Sequence, residues 1–140
     1  MSKYLGLDLG SVTCGVSASE TGLIAHTVET IRFRNEDYNE AMDKVLAIIE
    51  REKPDEIVLG YPLLLNGDVG PRAQLSEEFK EVLEEECGLP VHLMDERFTT
   101  VEAEEILLQA DVSRKKRKKK IDQLAAVQIL QYYLDRIGKR

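Results

Sequence analysis

Apolar and polar positions alternate from the start of the chain. Leu5, Leu7 and Leu9 interleave with Gly6, Asp8 and Gly10, the period of two that marks a strand with one face toward a core. Gly10-Ser11 turns the chain into residues 12–19, which read as the return strand of a hairpin, and residues 23–33, rich in Ile, Thr and Val, read as a third strand of an antiparallel meander. The period then changes. Helix-start residues over 35–40 precede Met42, Val45, Leu46 and Ile49 at helical spacing, and Lys53-Pro54 stops that helix. Residues 56–60 read as a short buried strand that empties into Gly60-Tyr61-Pro62. Beyond a loop carrying Asn66-Gly67 and Gly70-Pro71, a second helix has Arg72 near its start and Leu75, Phe79, Val82 and Leu83 as its stripe, and Gly88-Leu89-Pro90 ends it. A last strand, 91–94, runs into Asp95-Glu96-Arg97. Two further helices are predicted. One is capped by Thr99 or Thr100, carries Glu102 in its first turns and runs through Leu108; the other is marked by Ile121, Leu124, Ala125, Leu130, Leu134 and Ile137, with Asp122 in its first turn. Three strands, then helix, strand, helix and strand, predict an α/β domain with a mixed five-stranded sheet, three strands antiparallel and two parallel, and helices on both faces.

Composition narrows the class. With 140 residues, 43% hydrophobic and 32% charged, the expectation is one domain over 1–140 with a real core. Met1-Ser2-Lys3 leads straight into the first strand and no apolar run nears the ~18 residues of a membrane span, so a cytoplasmic protein without membrane partners is expected. Cys14, Cys87, His26 and His92 stand far apart. Packed, reduced thiols are expected in preference to a disulfide or zinc site, and any metal is expected to be held by oxygen, as Mg2+ or Mn2+ is.

Charge is unevenly spread. The net charge of -7 argues against a polyanionic partner until its distribution is read: Arg114, Lys115, Lys116, Arg117, Lys118, Lys119 and Lys120 are seven consecutive cations, leaving 12 basic side chains against 26 acidic ones elsewhere. An acidic body with one basic edge orients nucleic acid toward that edge. A solvated loop of like charges, or a patch for an acidic protein or membrane surface, would have the same composition.

Three acids stand at the ends of elements: Asp8 on the first strand, Glu96 after the last, and Asp122 at the start of the last helix. Each has a plainer reading alone, Asp8 as a solvent-facing acid before a turn and Asp122 as a helix-start carboxylate favoured by the dipole. Asp95 and Glu96 point to opposite faces if the strand continues, so only one can join a shared site. Asp8, however, lies inside an apolar run, where an ionised carboxylate is costly unless it meets a cation or donor. Strand C-terminal ends and helix N-termini can meet at one crevice. Clustered carboxylates repel, divalent cations relieve them, and a neighbouring basic edge makes metal-assisted phosphodiester hydrolysis the expected reaction class.

Four stretches carry a resemblance: GLDLGSVTCGVS, GYPLLLNGDVGPRA, DERFTT and ADVSRKKRKKKIDQLAAVQILQYYLD. In this order and spacing they resemble the YqgF/RuvX family, Holliday junction resolvases also described as nucleases that mature the small-subunit ribosomal RNA precursor. The resemblance covers almost the whole chain and implies a ribonuclease-H-like fold. It also implies catalysis by two Mg2+ or Mn2+ ions held by Asp8, Glu96 and Asp122, with Asp95 in support. Gly10, Ser11, Arg72, Arg97 and residues 114–120 would then contact the nucleic acid, either an rRNA precursor, within ribosomal precursor particles, or branched DNA. Recognition by backbone and shape is expected, since no aromatic cluster offers bases a stacking platform. Symmetric cleavage of a junction would need a dimer, and trimming of an RNA end one site.

Two rival classes differ in testable ways. The GLDLGS run also resembles the first phosphate loop of the sugar kinase, actin and heat-shock ATPase superfamily, but a second lobe and a second glycine-rich loop are missing. A non-catalytic RNA-binding scaffold would bind nucleic acid without Mg2+ and leave it uncut.

Overall fold

The computed structural model describes residues 2–97 and 114–138, with 114–123 described by backbone alone. Its elements are β1 (Tyr4–Leu9), β2 (Thr13–Ser19), β3 (His26–Arg32), α1 (Tyr38–Glu52), β4 (Glu56–Tyr61), α2 (Pro71–Cys87), β5 (Val91–Asp95) and α3 (Arg114–Gly138). The strands form one sheet in the order β3-β2-β1-β4-β5. β1 pairs antiparallel with β2, and β2 with β3, whereas β1–β4 and β4–β5 are parallel. The predicted mixed sheet with helices on both faces is therefore found.

Alternation along β1 divides the interior in two. Leu5, Leu7 and Leu9 face the larger cluster with Val16, Ile57 and Leu59, covered by Val45, Ile48 and Ile49 of α1 and Phe79 and Leu83 of α2. On the other face, Tyr4, Val58 and Met94 pack under Ile129, Leu130 and Leu134 of α3. The helix ends follow their local chemistry. Asp37 caps α1 by accepting from the Glu40 N–H at 3.1 Å, and Lys53 closes it at φ 51 before Pro54. Pro71 opens α2 and Gly88 ends it at φ 70.

Two boundaries differ from expectation. β3 begins at His26, not Leu23. The Ala25 N–H and Leu23 carbonyl bond the Gln131 side chain at 2.9 Å each, so α3 satisfies backbone groups that would otherwise extend the ladder, and Leu23 and Ile24 stay exposed. The second correction concerns α3. Its pattern places residues 114–120 ahead of the final helix and Asp122 in the first turn, yet the helix already includes Arg114, eight residues before Asp122. Lys and Arg are good helix formers, and the run continues the apolar helix behind it. A position more than two turns in does not feel the N-terminal dipole, which removes that plain explanation for Asp122. The predicted helix from Thr99 or Thr100 through Glu102 to Leu108, and its end at residues 110–113, lie outside the described residues.

Candidate active site

The site grows from three parallel strand ends and one bare strand position. β1, β4 and β5 run in one direction and finish at the same edge of the sheet. On the α3 side, Asp8 follows Tyr4 and Gly6 along β1, Gly60 follows Val58 along β4, and Glu96 follows Met94 just beyond β5. β4 lies between the other two. For Glu96 to meet Asp8 its side chain must cross β4, and it does: the two carboxyl groups share a hydrogen bond. Gly60 leaves the passage. A Cβ there would collide with the Glu96 carboxylate and come within 2.8 Å of Ile129 Cδ1.

Burial and the Asp8 charge push the Glu96 carboxyl up to about 9, with Arg72 pulling the other way. Glu96 thus holds its proton at neutral pH in the absence of a cation. Cys14 does not join the acids. It pairs with Leu9 on the opposite face, buried and with its thiol pushed up mainly by that burial, and Cys87 is likewise a free thiol.

Among the described contact residues, Arg72 is the cation whose charge acts on Glu96. From the first turn of α2 its guanidinium donates to the Leu9 carbonyl at 3.0 Å and to Tyr38 Oη at 3.1 Å, locking the end of β1 to both helices. Gly10 and Ser11 form the hairpin turn, where the Gly10 N–H donates to the Thr13 carbonyl at 2.7 Å and the Ser11 carbonyl accepts from Glu36 at 2.8 Å. The Gly10 amide is therefore already committed within the turn, while the Ser11 side of the turn is exposed. Arg97 belongs to a different unit. Its Nη2 pairs with Asp95 Oδ2 at 2.8 Å, which holds the Asp95 carboxyl below its ordinary range, and its Nη1 donates to the Leu65 carbonyl at 3.3 Å. Asp95 thus supports the β5 end and the following loop, and the parity question posed by Asp95-Glu96 is answered by Glu96 alone reaching Asp8.

The glycines on this face have two uses, and only one of them is room for a ligand group. At Gly6 the space is taken by Ser17 and α3: a Cβ would collide with Ser17 Oγ and lie 2.8 Å from Leu130 Cβ and 3.3 Å from the Ala126 carbonyl. Ser17 Oγ also donates to Ala126 O, at 2.8 Å. Gly60 and Ser17 have no place among the predicted site residues. A lone glycine interrupting the aliphatic face of a buried strand is the available signal for the first, and a serine in an apolar strand for the second.

The family model for RuvX, described as Holliday junction resolvase, matches residues 2–136. A Geobacillus kaustophilus protein named "Putative pre-16S rRNA nuclease" is 52% identical over 134 residues, 95% of this chain and 97% of its own. Among solved structures, T. thermophilus RuvC in complex with Holliday junction substrate superposes with a TM-score of 0.62 at 16% identity, covering 99% of this chain and 97% of that one. A Listeria monocytogenes protein titled a putative N-acetylmannosamine kinase reaches 0.52 at 18% identity, but the match spans 40% of the kinase chain. The kinase likeness is one of fold within a much longer protein. Sequence and length agree only for the first group, and the chain belongs to the RuvX family.

Proposed function

We propose that this chain is a divalent-metal-dependent nuclease, a single domain over 1–140, that hydrolyses phosphodiester bonds of structured nucleic acid and processes the 5′ end of the small-subunit ribosomal RNA precursor in the cytoplasm. The observation that carries the reading is the part-buried Asp8–Glu96 pair, assembled from two strands across Gly60. Two carboxyl groups in contact form a hard oxygen donor set, and a divalent cation would displace the Glu96 proton and relieve their repulsion. Among the described residues no group of three potential metal ligands stands together; the Asp122 side chain is not among them. Its backbone position supports its membership. Tyr133 lies against Tyr4, with ring centroids 6.1 Å apart, and Ala126 and Leu130 lie over Gly6, so α3 runs antiparallel to β1. Continuing toward Asp8 along the strand leads one turn back along the helix, to the level of Asp122.

Bound there, Mg2+ or Mn2+ ions would supply Lewis-acid stabilisation of the phosphoryl group and a lowered water pKa. Asp8, Glu96 and Asp122 would hold the cations. Arg72 keeps the β1 end in place and adds positive charge beside the scissile phosphate, and Ser11 and Arg97 flank it. Residues 114–120 hold the nucleic acid backbone without reading sequence. The relatives named for the pre-16S rRNA favour the RNA substrate, and the family description favours branched DNA as the second reading.

The test is cleavage by purified protein of a small-subunit rRNA precursor fragment and of a four-way DNA junction, with Mg2+ or Mn2+, beside Asp8→Asn. Metal-dependent cutting of the RNA that disappears in the variant is expected. Cutting of the junction alone would shift the substrate to branched DNA. Binding of both with neither cut, unchanged by metal, would leave a scaffold.

A further inference from the structure

The loop from β4 to α2, residues 62–70, has a feature that the acid pair and the cations do not use. It shows apolar side chains to solvent: Leu65 is 74% exposed, Val69 52% and Leu64 48%. The loop has a definite internal structure. The Leu64 N–H donates to the Asp68 carbonyl at 3.0 Å, the Gly67 N–H to the Leu64 carbonyl at 2.7 Å, and Asn66 Oδ1 accepts from the Asp68 N–H at 2.9 Å. Gly67 takes φ 93 at the turn, a conformation that favours glycine. Leu64 rests on Gly70, where a Cβ would lie 3.0 Å from its Cδ2. The tip is tied to the reacting end of the sheet, because Arg97 bonds the Leu65 carbonyl with one nitrogen and the Asp95 carboxylate with others. Asp95 and Arg97 are the two neighbours of Glu96. A leucine is thereby held at a fixed place at the end of the sheet that carries Glu96, with its side chain in water.

Phosphates and sugars offer such a side chain nothing, whereas the faces of bases do. Aliphatic side chains are known to enter base steps as wedges and unstack them. We propose that Leu64 and Leu65 form an apolar wedge that enters the base stack of the substrate RNA next to the scissile phosphate, so that the enzyme acts where nucleotides are unpaired or have been pried apart. This rests on the nuclease reading above. A protein partner fits less well: a stable interface buries about 800 Å² on each side, far more than this turn presents. The wedge also supplies a contact to bases in a site whose other contacts are to backbone. An apolar tip has no hydrogen-bonding code, so it selects for unstackable steps and not for a sequence.

The test uses the full chain and Leu64→Ser/Leu65→Ser, both expected to melt together because the sites are exposed. Two RNAs of one sequence are compared, one paired and one unpaired at the mapped cut, each with 2-aminopurine beside it. In EDTA, binding by the parent should brighten 2-aminopurine in the paired RNA, and binding by the variant should not. In Mg2+, the paired-to-unpaired ratio of kcat/KM should fall about tenfold in the variant, the scale set by removing one leucine side chain from between bases. An unchanged ratio, or brightening retained by the variant, overturns the wedge. Brightening confined to the parent with neither RNA cut would refute the nuclease reading for this substrate and still support the wedge.

Discussion

Glu96→Gln should make the metal-free protein more stable, and the gain should depend on pH. The folded carboxyl is pushed from its ordinary 4.5 up to about 9 by burial and by Asp8. Between those values the folded chain keeps a proton that the unfolded chain releases, so stability falls as pH rises through the window. Each unit is worth about 1.36 kcal/mol, which gives about 4 kcal/mol of diminished stability at pH 7.5 and almost none at pH 4. Glutamine does not titrate, and its amide can donate to Asp8 as the protonated acid does. The variant should therefore exceed the parent by up to about 4 kcal/mol at pH 7.5, roughly 10 °C in Tm for a chain of this size. At pH 4 the two should coincide. Urea and thermal unfolding from pH 4 to 8.5 in EDTA measures the difference, and added Mg2+ should then stabilise the parent far more than the variant. A variant less stable than the parent at pH 7.5, or a difference that ignores pH, would refute the reasoning and make Glu96 a structural partner.

Gly60→Ala should displace the Glu96 carboxylate and Ile129 from the added methyl, costing about 1–3 kcal/mol as overpacking does. Mn2+ affinity measured by calorimetry should drop even at temperatures where circular dichroism shows the variant fully folded; normal affinity would mean that the passage over β4 is not needed. In the basic run, replacing Lys115, Lys116, Lys118 and Lys119 by Gln keeps good helix formers and leaves Asp122 untouched. Binding of uncleaved RNA should weaken for unrelated sequences alike, with the salt slope flattened by roughly 0.7 to 0.9 for each phosphate no longer neutralised. An unchanged slope would show that these lysines touch no phosphate.

What can be read from the sequence, and what cannot, divides along physical lines. Period-two alternation places β1 and a short apolar run bounded by turn residues places β4, which is buried on both faces, and the acid on β1 is conspicuous in an apolar run. The start of β3 escapes the pattern because Leu23, Ile24 and Ala25 have strand-like chemistry, while the competitor for their backbone groups, Gln131, lies more than a hundred residues away. The start of α3 escapes it because seven like charges have no apolar period, so a helix held by propensity and continuity resembles a loop. Periodicity alone leaves Asp95 and Glu96 level. The family resemblance selects Glu96, and the geometry shows the difference, Asp95 turning to Arg97 while Glu96 turns to Asp8.

The same geometry explains why the second acid is a glutamate and why it comes from β5. The position on β4 that faces α3 beside Asp8 is Gly60, which brings no donor, so the nearest acid on that face is one strand farther away. Neighbouring strands lie about 4.8 Å apart, and a carboxyl from β5 must span about two such spacings, shared with the shorter reach of Asp8. Aspartate at 96 would stop one methylene short, over β4. Any side chain at 60 would block glutamate from arriving, as the collision with a Cβ shows. The long acid on β5 and the bare position on β4 are thus two halves of one solution. Its consequence is that the Glu96 carboxyl lies partly out of water against Asp8, which is what raises it and lets the pair share a proton that an entering cation would displace.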